Sequence, residues 1–199
     1  GLIQRGVQPG DHIGLYGLNS STFVAIYLGI QKAGATVVPI NLLLNPNEVA
    51  WILNDAEVKM LFYFDPFAPA VASIRAKLPN IGNFICVGEG KPENGDLHLP
   101  ELFHSTRGRE AGAIATATNE VKRQTLEKPD LPVELDPEGI AVIIYTSGTT
   151  GKPKGAMLTH TNLVSDALAA GEALKLRPCE ERFLVVLPMF HAFASMAGM

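Results

Sequence analysis

Ile140-Ala141-Val142-Ile143-Ile144-Tyr145-Thr146-Ser147-Gly148-Thr149-Thr150-Gly151-Lys152-Pro153-Lys154-Gly155 joins an apolar run to a loop of small and charged residues. Residues 140–145 are unbroken in hydrophobicity and rich in β-branched side chains. Pro137 and Gly139 bound the run on one side and Gly148 on the other. Such a run reads as a strand buried on both faces, the kind found in parallel sheets. The loop then starts at the carboxyl end of that strand, the edge at which open α/β sheets bind ligands. Its glycines let the backbone approach a ligand, and its successive N–H groups can form an anion-binding nest. Hydroxyls and lysines add hydrogen bonds and charge for phosphate oxygens. The candidate polyphosphate contacts are Thr146, Ser147, Gly148, Thr149, Thr150, Gly151, Lys152, Lys154 and Gly155.

A Walker A loop is excluded by spacing. That motif needs four residues between its first glycine and its Gly-Lys pair, then Ser or Thr. Here Thr149 and Thr150 alone separate Gly148 from Gly151-Lys152, and Pro153 follows. Pro153 pushes Lys152 toward extended geometry, against a helix starting there. The plain competing account is a Gly/Thr turn between two strands.

Working outward, strands and helices alternate. Asp11–Tyr16 is a strand. Asn19-Ser20-Ser21 caps a helix carrying Phe23, Ile26, Tyr27 and Ile30 at i, i+3, i+4, i+7, ended by Gly34. Thr36–Ile40 is a strand. Asn45 or Asn47 caps a helix with Val49, Ile52 and Leu53 on one face. Lys59–Tyr63 is a strand, Phe67–Lys77 a helix and Asn83–Val87 a strand. Ala156–Leu158 is a short strand, and Thr159 or His160 leads a helix with Leu163, Ala167, Ala170 and Leu174 on one face. Phe183–Leu187 reads as a buried strand. The pattern predicts an α/β fold, a mostly parallel sheet flanked by helices. Residues 89–135 are poorly patterned, with turn chemistry at 88–95, a weak helical pattern over 101–126 and an extended connector at 127–132. No direct chemical role is expected of them.

Composition narrows the classes. With 199 residues, 47% hydrophobic and 18% charged, the chain can bury a sizeable core in one domain. The net charge of −4, without a basic block, argues against a nucleic-acid partner. Cys86 and Cys179 stand far apart and suggest ordinary thiols in a reducing cytosol. The window from Phe23 to Ile40 is interrupted by Gln31-Lys32-Ala33-Gly34 and Pro39, so it is no membrane span. His12, His98 and His104 lack matching ligand partners, so no histidine metal site is indicated, and His160 reads as structural. His191 follows an apolar run between Phe190 and Phe193. It is either packed in an aromatic cluster or placed at the ligand edge of the sheet.

The loop resembles the phosphate-binding signature of the adenylate-forming superfamily, which includes acyl-CoA synthetases, luciferases and peptide-synthetase adenylation domains. The likeness continues through Gly155-Ala156-Met157-Leu158-Thr159-His160, Asn162 and Leu187-Pro188-Met189-Phe190-His191-Ala192-Phe193. Gly6-Val7-Gln8-Pro9-Gly10-Asp11, Lys32-Ala33-Gly34-Ala35 and Pro39-Ile40-Asn41 extend it upstream. It is most similar to bacterial medium- and long-chain fatty acid–CoA ligases.

The resemblance implies that residues 1–199 are an incomplete N-terminal AMP-binding domain, with the C-terminal domain absent. It implies ATP, a fatty acid and CoA as small-molecule substrates, Mg²⁺ on the phosphates, and a cytoplasmic enzyme whose parent leaves peripheral membrane contact open. It places His191 beside the acyl carboxylate as a substrate-binding residue. The adenine site, the acidic magnesium ligand and the adenylation lysine of the family have no counterparts here. No catalytic residue is therefore assigned, and the chain alone is expected to be inactive. Two alternatives stand beside this reading. One is another adenylating enzyme, an aryl-acid–CoA ligase or a peptide-synthetase adenylation domain. The other is a non-enzymatic nucleotide-binding module.

Overall fold

The computed structural model describes residues 1–90, 92, 95–102, 133–146, 152–177 and 184–191. Among them, β1 (His12–Tyr16), β2 (Thr36–Pro39), β3 (Met60–Phe64), β4 (Asn83–Val87), β5 (Leu97–His98), β6 (Ile140–Thr146) and β7 (Lys154–Thr159) form one sheet in the order β5-β4-β3-β1-β2-β6-β7. Every neighbouring pair is parallel except β6 and β7. The exception follows from chain length. A parallel return needs a crossover of a dozen or more residues, and only residues 147–153 separate β6 from β7.

The helices α1 (Ser21–Lys32), α2 (Pro46–Asp55), α3 (Ala68–Ile74) and α4 (His160–Ala173) flank the sheet. Ser20 caps α1, its hydroxyl accepting from the Phe23 N–H at 3.0 Å. Gly34 ends the element with φ +77°, a left-handed conformation that glycine adopts without Cβ strain. Asn45 caps α2 in a capping box: its side chain accepts from Asn47 and Glu48, and the Glu48 carboxylate accepts from the Asn45 N–H at 2.9 Å. Pro46 sits in the first turn, where its missing N–H costs nothing.

The core is two clusters, one on each face of the sheet. Val49, Ile52 and Leu53 of α2 and Val71 and Ile74 of α3 pack on one face against Val38, Leu61, Tyr63 and Ile143. Phe23, Ile26, Tyr27 and Ile30 of α1 pack on the other against Leu15, Val37, Phe62, Val142 and Ile144. Helices on both faces are what leave the centres of β1, β2 and β6 buried on both sides, and hence largely apolar. The predicted α1 stripe is buried as expected. Each such side chain contributes on the order of 1.5–3 kcal/mol as an upper estimate. Thr36 is the sole buried polar residue among the described ones. Its hydroxyl donates to the Ile140 carbonyl at 2.7 Å, tying β2 to the start of β6.

Four expectations need correction. The helix predicted over Phe67–Lys77 is divided: 3₁₀ turns at Asp65–Phe67 and Arg75–Lys77 flank the seven-residue α3. Pro66 and Pro69 lie within its first turns, where they remove two backbone donors. Leu184–Leu187 is not a strand, and Leu184 and Val186 are exposed at 87% and 73%. The edge of β6 where such a strand would pair is taken by β7. Within the poorly patterned region, the two-residue β5 was not foreseen, because two residues carry no periodicity. On α4, Leu163 and Ala170 are half-buried, but Ala167 and Leu174 of the predicted face are exposed. Residues 103–132, including His104, and Cys179 lie outside the described residues.

Candidate functional site

β6 ends at Thr146, at the carboxyl edge of the parallel strands. Of the predicted phosphate contacts, Thr146, Lys152, Lys154 and Gly155 are described, whereas Ser147, Gly148, Thr149, Thr150 and Gly151 lie outside the described residues. The loop is therefore held between two antiparallel strands rather than between a strand and a helix, in line with the exclusion of a Walker A motif. Its surroundings match the turn-between-strands account in topology, so topology alone does not choose between a turn and an anion site.

Register sorts the described side chains by face. Tyr145 lies opposite Gly155 and Thr146 opposite Lys154. Directly opposed residues share a face, and successive residues alternate. Tyr145 packs with Ile143 on the α2/α3 face. Thr146 and Lys154 therefore belong to the α1 face, with Val142 and Ile144. Both are exposed.

His191 arrives at the same edge by a separate route. Asn19, in the turn after β1, donates from its side-chain amide to the Leu187 carbonyl at 2.7 Å. It accepts from the Met189 N–H at 2.8 Å. Met189 is buried in the α1-side cluster with Val185 packed against it. The His191 N–H donates to the Pro188 carbonyl at 3.0 Å, and its side chain is exposed. His191 is thus not sealed in an aromatic cluster. It stands on the edge that carries the ends of β1 and β6, with β2 between them. His160 opens α4 directly after β7; burial lowers its pKa against the opposing pull of Asp136, as befits a structural position.

Three contacts at the root of the loop were not foreseen. The Tyr145 hydroxyl donates to Asp55 Oδ2 at 2.6 Å, and the Trp51 ring meets the Tyr145 ring edge-on at 6.1 Å between centroids. The Lys152 ammonium lies 5.8 Å from the Trp51 ring centroid. Burial, reinforced by Asp55, holds the Tyr145 hydroxyl protonated well above its usual range. Trp51 and Asp55 are spaced i, i+4 on α2, a stripe off the Val49/Ile52/Leu53 face. That spacing is visible in sequence, but the partner it faces is not. Gly155 makes room for the arrangement: a Cβ there would stand 2.8 Å from Ile143 Cγ2 and 3.0 Å from Tyr145 Cζ.

Elsewhere the described residues hold no group of three or more His, Cys, Asp or Glu able to bind a metal ion. No helix among them is long and apolar enough to cross a membrane. A mostly apolar cavity of about 570 Å³ is lined by Leu2, Ala25, Ile26, Phe62, Leu99 and Leu102 among others, residues of the α1 side remote from the loop's Tyr145 face.

Comparison with known proteins agrees with this layout. The human long-chain-fatty-acid–CoA ligase 1 is 33% identical over 200 residues, covering 96% of this chain and 27% of that protein. The crystal structure of a long-chain-fatty-acid-CoA ligase from Archaeoglobus fulgidus superposes with a TM-score of 0.77 at 28% identity, over 98% of this chain and 34% of that one. An anthranilate CoA ligase crystallised with anthranoyl-AMP gives a TM-score of 0.69 at 32% identity, over 85% and 29%. The chain thus spans about a third of the length of the proteins it matches. The sequence profile described as AMP-binding enzyme matches residues 1–199, the whole of the chain. The profile match from end to end and a relative at 33% identity together place the chain in the AMP-binding enzyme family.

Proposed function

We propose that this chain is the phosphate-binding part of an ATP-dependent fatty acid–CoA ligase. The observation that carries the reading is the convergence at one sheet edge of Thr146, Lys154 and the His191 segment. In the first half-reaction a carboxylate oxygen attacks the α-phosphorus of ATP, the bond to pyrophosphate breaks, and acyl-AMP forms. In the second, the CoA thiol sulfur attacks the acyl carbon, AMP leaves and the thiol proton passes to solvent. Ser147, Thr149, Thr150 and the Gly148 and Gly151 backbone are assigned to the β- and γ-phosphates, with Lys154 supplying charge. Such preorganised donors offset the charge that grows on the departing pyrophosphate. His191 is assigned to positioning the acyl carboxylate, which needs no deprotonation to attack.

Among the described residues no group of three or more His, Cys, Asp or Glu could hold a metal ion without help from the phosphates themselves. No step is derived through that ion. The likeness to an anthranilate ligase keeps an aryl acid as the second reading of the substrate.

The test is made in the full-length parent, first by ATP–pyrophosphate exchange against a panel of aliphatic and aryl carboxylic acids. Thr149→Ala and Lys154→Ala are expected to slow exchange by on the order of 10²–10³, the usual cost of losing one such donor. Thioester formation from pre-made acyl-AMP is expected to suffer much less, because no pyrophosphate leaves in that step. Equal slowing of both half-reactions would sink the assignment and leave the loop a folding element.

A further inference from the structure

The two lysines of the loop stand on opposite sides of the hairpin. Lys154 shares the α1 face with Thr146, whereas Lys152 lies over Trp51 on the α2 side. The same indole meets Tyr145, the residue that leads into the loop, and Asp55 one turn further along α2 accepts the Tyr145 hydroxyl. The hairpin is therefore tied to one helix at Tyr145, near the end of its leading strand, and at Lys152, two residues before its returning strand. Gly155 leaves the Tyr145 ring the space that this needs.

We infer that Trp51 and Asp55 are positioning residues for the phosphate loop, and that Lys152 serves as its anchor on Trp51 while Lys154 is the lysine that meets phosphate. The inference rests on the phosphate-binding reading and divides its two lysines. A cation over an indole face is attracted by the ring quadrupole, and the attraction does not need the ligand. Gripping an anion costs a loop conformational entropy, and fixing its flanks beforehand reduces that loss.

Trp51 is the single tryptophan of the chain, so its emission reports on the anchor directly. The 199-residue chain is titrated with inorganic pyrophosphate by calorimetry, and Trp51 emission is read before and after. Lys152→Met is expected to change the resting emission, and saturating pyrophosphate is expected to leave the wild-type emission nearly unchanged. Lys154→Met should weaken binding at least tenfold. Trp51→Leu and Lys152→Met should each weaken it about two- to fivefold, the size of an exposed cation–π contact. Combining them should be no worse than either alone, and Trp51→Phe should restore most of the loss. Rescue by another aromatic ring and the lack of additivity distinguish anchoring from a general packing defect.

Lys152→Met losses equal to those of Lys154→Met, and additive with Trp51→Leu, would overturn the inference while leaving the phosphate reading intact. A resting emission indifferent to Lys152→Met would also overturn it. No pyrophosphate binding by the wild-type chain would remove the phosphate reading, and the positioning role with it.

Discussion

Gly155→Ala tests how tightly the root of the loop is packed. Two opposing effects set the outcome. Glycine within a strand is less favourable than alanine by roughly 0.5–1 kcal/mol, because it loses more backbone freedom on folding. Against this, the new methyl would lie 2.8 Å from Ile143 Cγ2, 3.0 Å from Tyr145 Cζ and 3.2 Å from Tyr145 Cε2. Ile143 is 5% exposed and cannot withdraw, so the Tyr145 ring has to yield. Its hydroxyl is held by Asp55 at 2.6 Å and its ring packs T-shaped with Trp51, so that movement breaks contacts rather than merely rotating a free ring. Overpacking of this kind costs typically ~1–3 kcal/mol. The balance is a net loss of about 1 kcal/mol, or ~2–4 °C in Tm for a chain of this size.

The assay is urea denaturation of wild type, Gly155→Ala, Tyr145→Ala and the double variant. With the ring removed, most of the penalty should vanish, leaving the smaller clash with Ile143. The two substitutions should therefore be coupled by more than ~0.5 kcal/mol. A Gly155→Ala chain as stable as wild type, with no coupling to Tyr145, would refute the packing argument and with it the case that Gly155 is needed for Tyr145 to reach α2.

Three further outcomes are expected. Asp96 accepts from the Tyr63 hydroxyl at 2.6 Å and pairs with Arg75, whose guanidinium lies 3.9 Å from the Phe84 ring centroid. Asp96→Ala should cost about 3 kcal/mol by thermal unfolding, the low end for a broken buried pair, since Arg75 keeps 28% exposure; a loss under ~1 kcal/mol would deny the pair a structural role.

Cys86 is buried and its thiol donates to Asp65 at 3.0 Å; burial above all, then Asp65, pushes the thiol up to about 11. Alkylation at pH 8, followed by mass spectrometry to separate Cys86 from Cys179, should find Cys86 protected until the chain unfolds. The thiol's raised value makes its contribution to stability complete below about pH 8.5 and lost as pH climbs toward 11. Asp65 runs the other way. The Cys86 hydrogen bond, ahead of the opposing effect of burial, lowers its pKa. Its share of stability is thus present above about pH 4 and lost as pH falls through its depressed folded value. A urea midpoint for Cys86→Ala with the same pH profile as wild type would contradict both signs.

Finally, the chain alone should form no acyl-CoA from ATP, CoA and a fatty acid, because orientation and charge stabilisation are incomplete without the remainder of the family's site. Detectable ATP- and CoA-dependent thioester in a purified sample would overturn that.

Local chemistry made much of this legible from residues alone. The apolar run at 140–145 is a strand buried on both faces, Ser20 and Asn45 are helix caps, and Gly34 is a helix stop. Each depends on interactions within a few positions, or on a periodicity that needs no knowledge of the partner. Motif residues of the loop and of the His191 segment likewise gave the family. What lay beyond sequence is everything set by which elements meet. The run at 183–187 is as apolar as β6, yet Leu184 and Val186 are exposed and residues 184–187 join no strand of the sheet. Hydropathy records the capacity to be buried, not whether another element comes to cover the run. Trp51 and Asp55 look like the outer stripe of an ordinary amphipathic helix. Only the packing of α2 over β6, 90 positions away, turns them toward Tyr145 and Lys152 and sets the two loop lysines on opposite sides. Contacts at such separations depend on strand order, and strand order is a property of the whole folded chain rather than of any window within it.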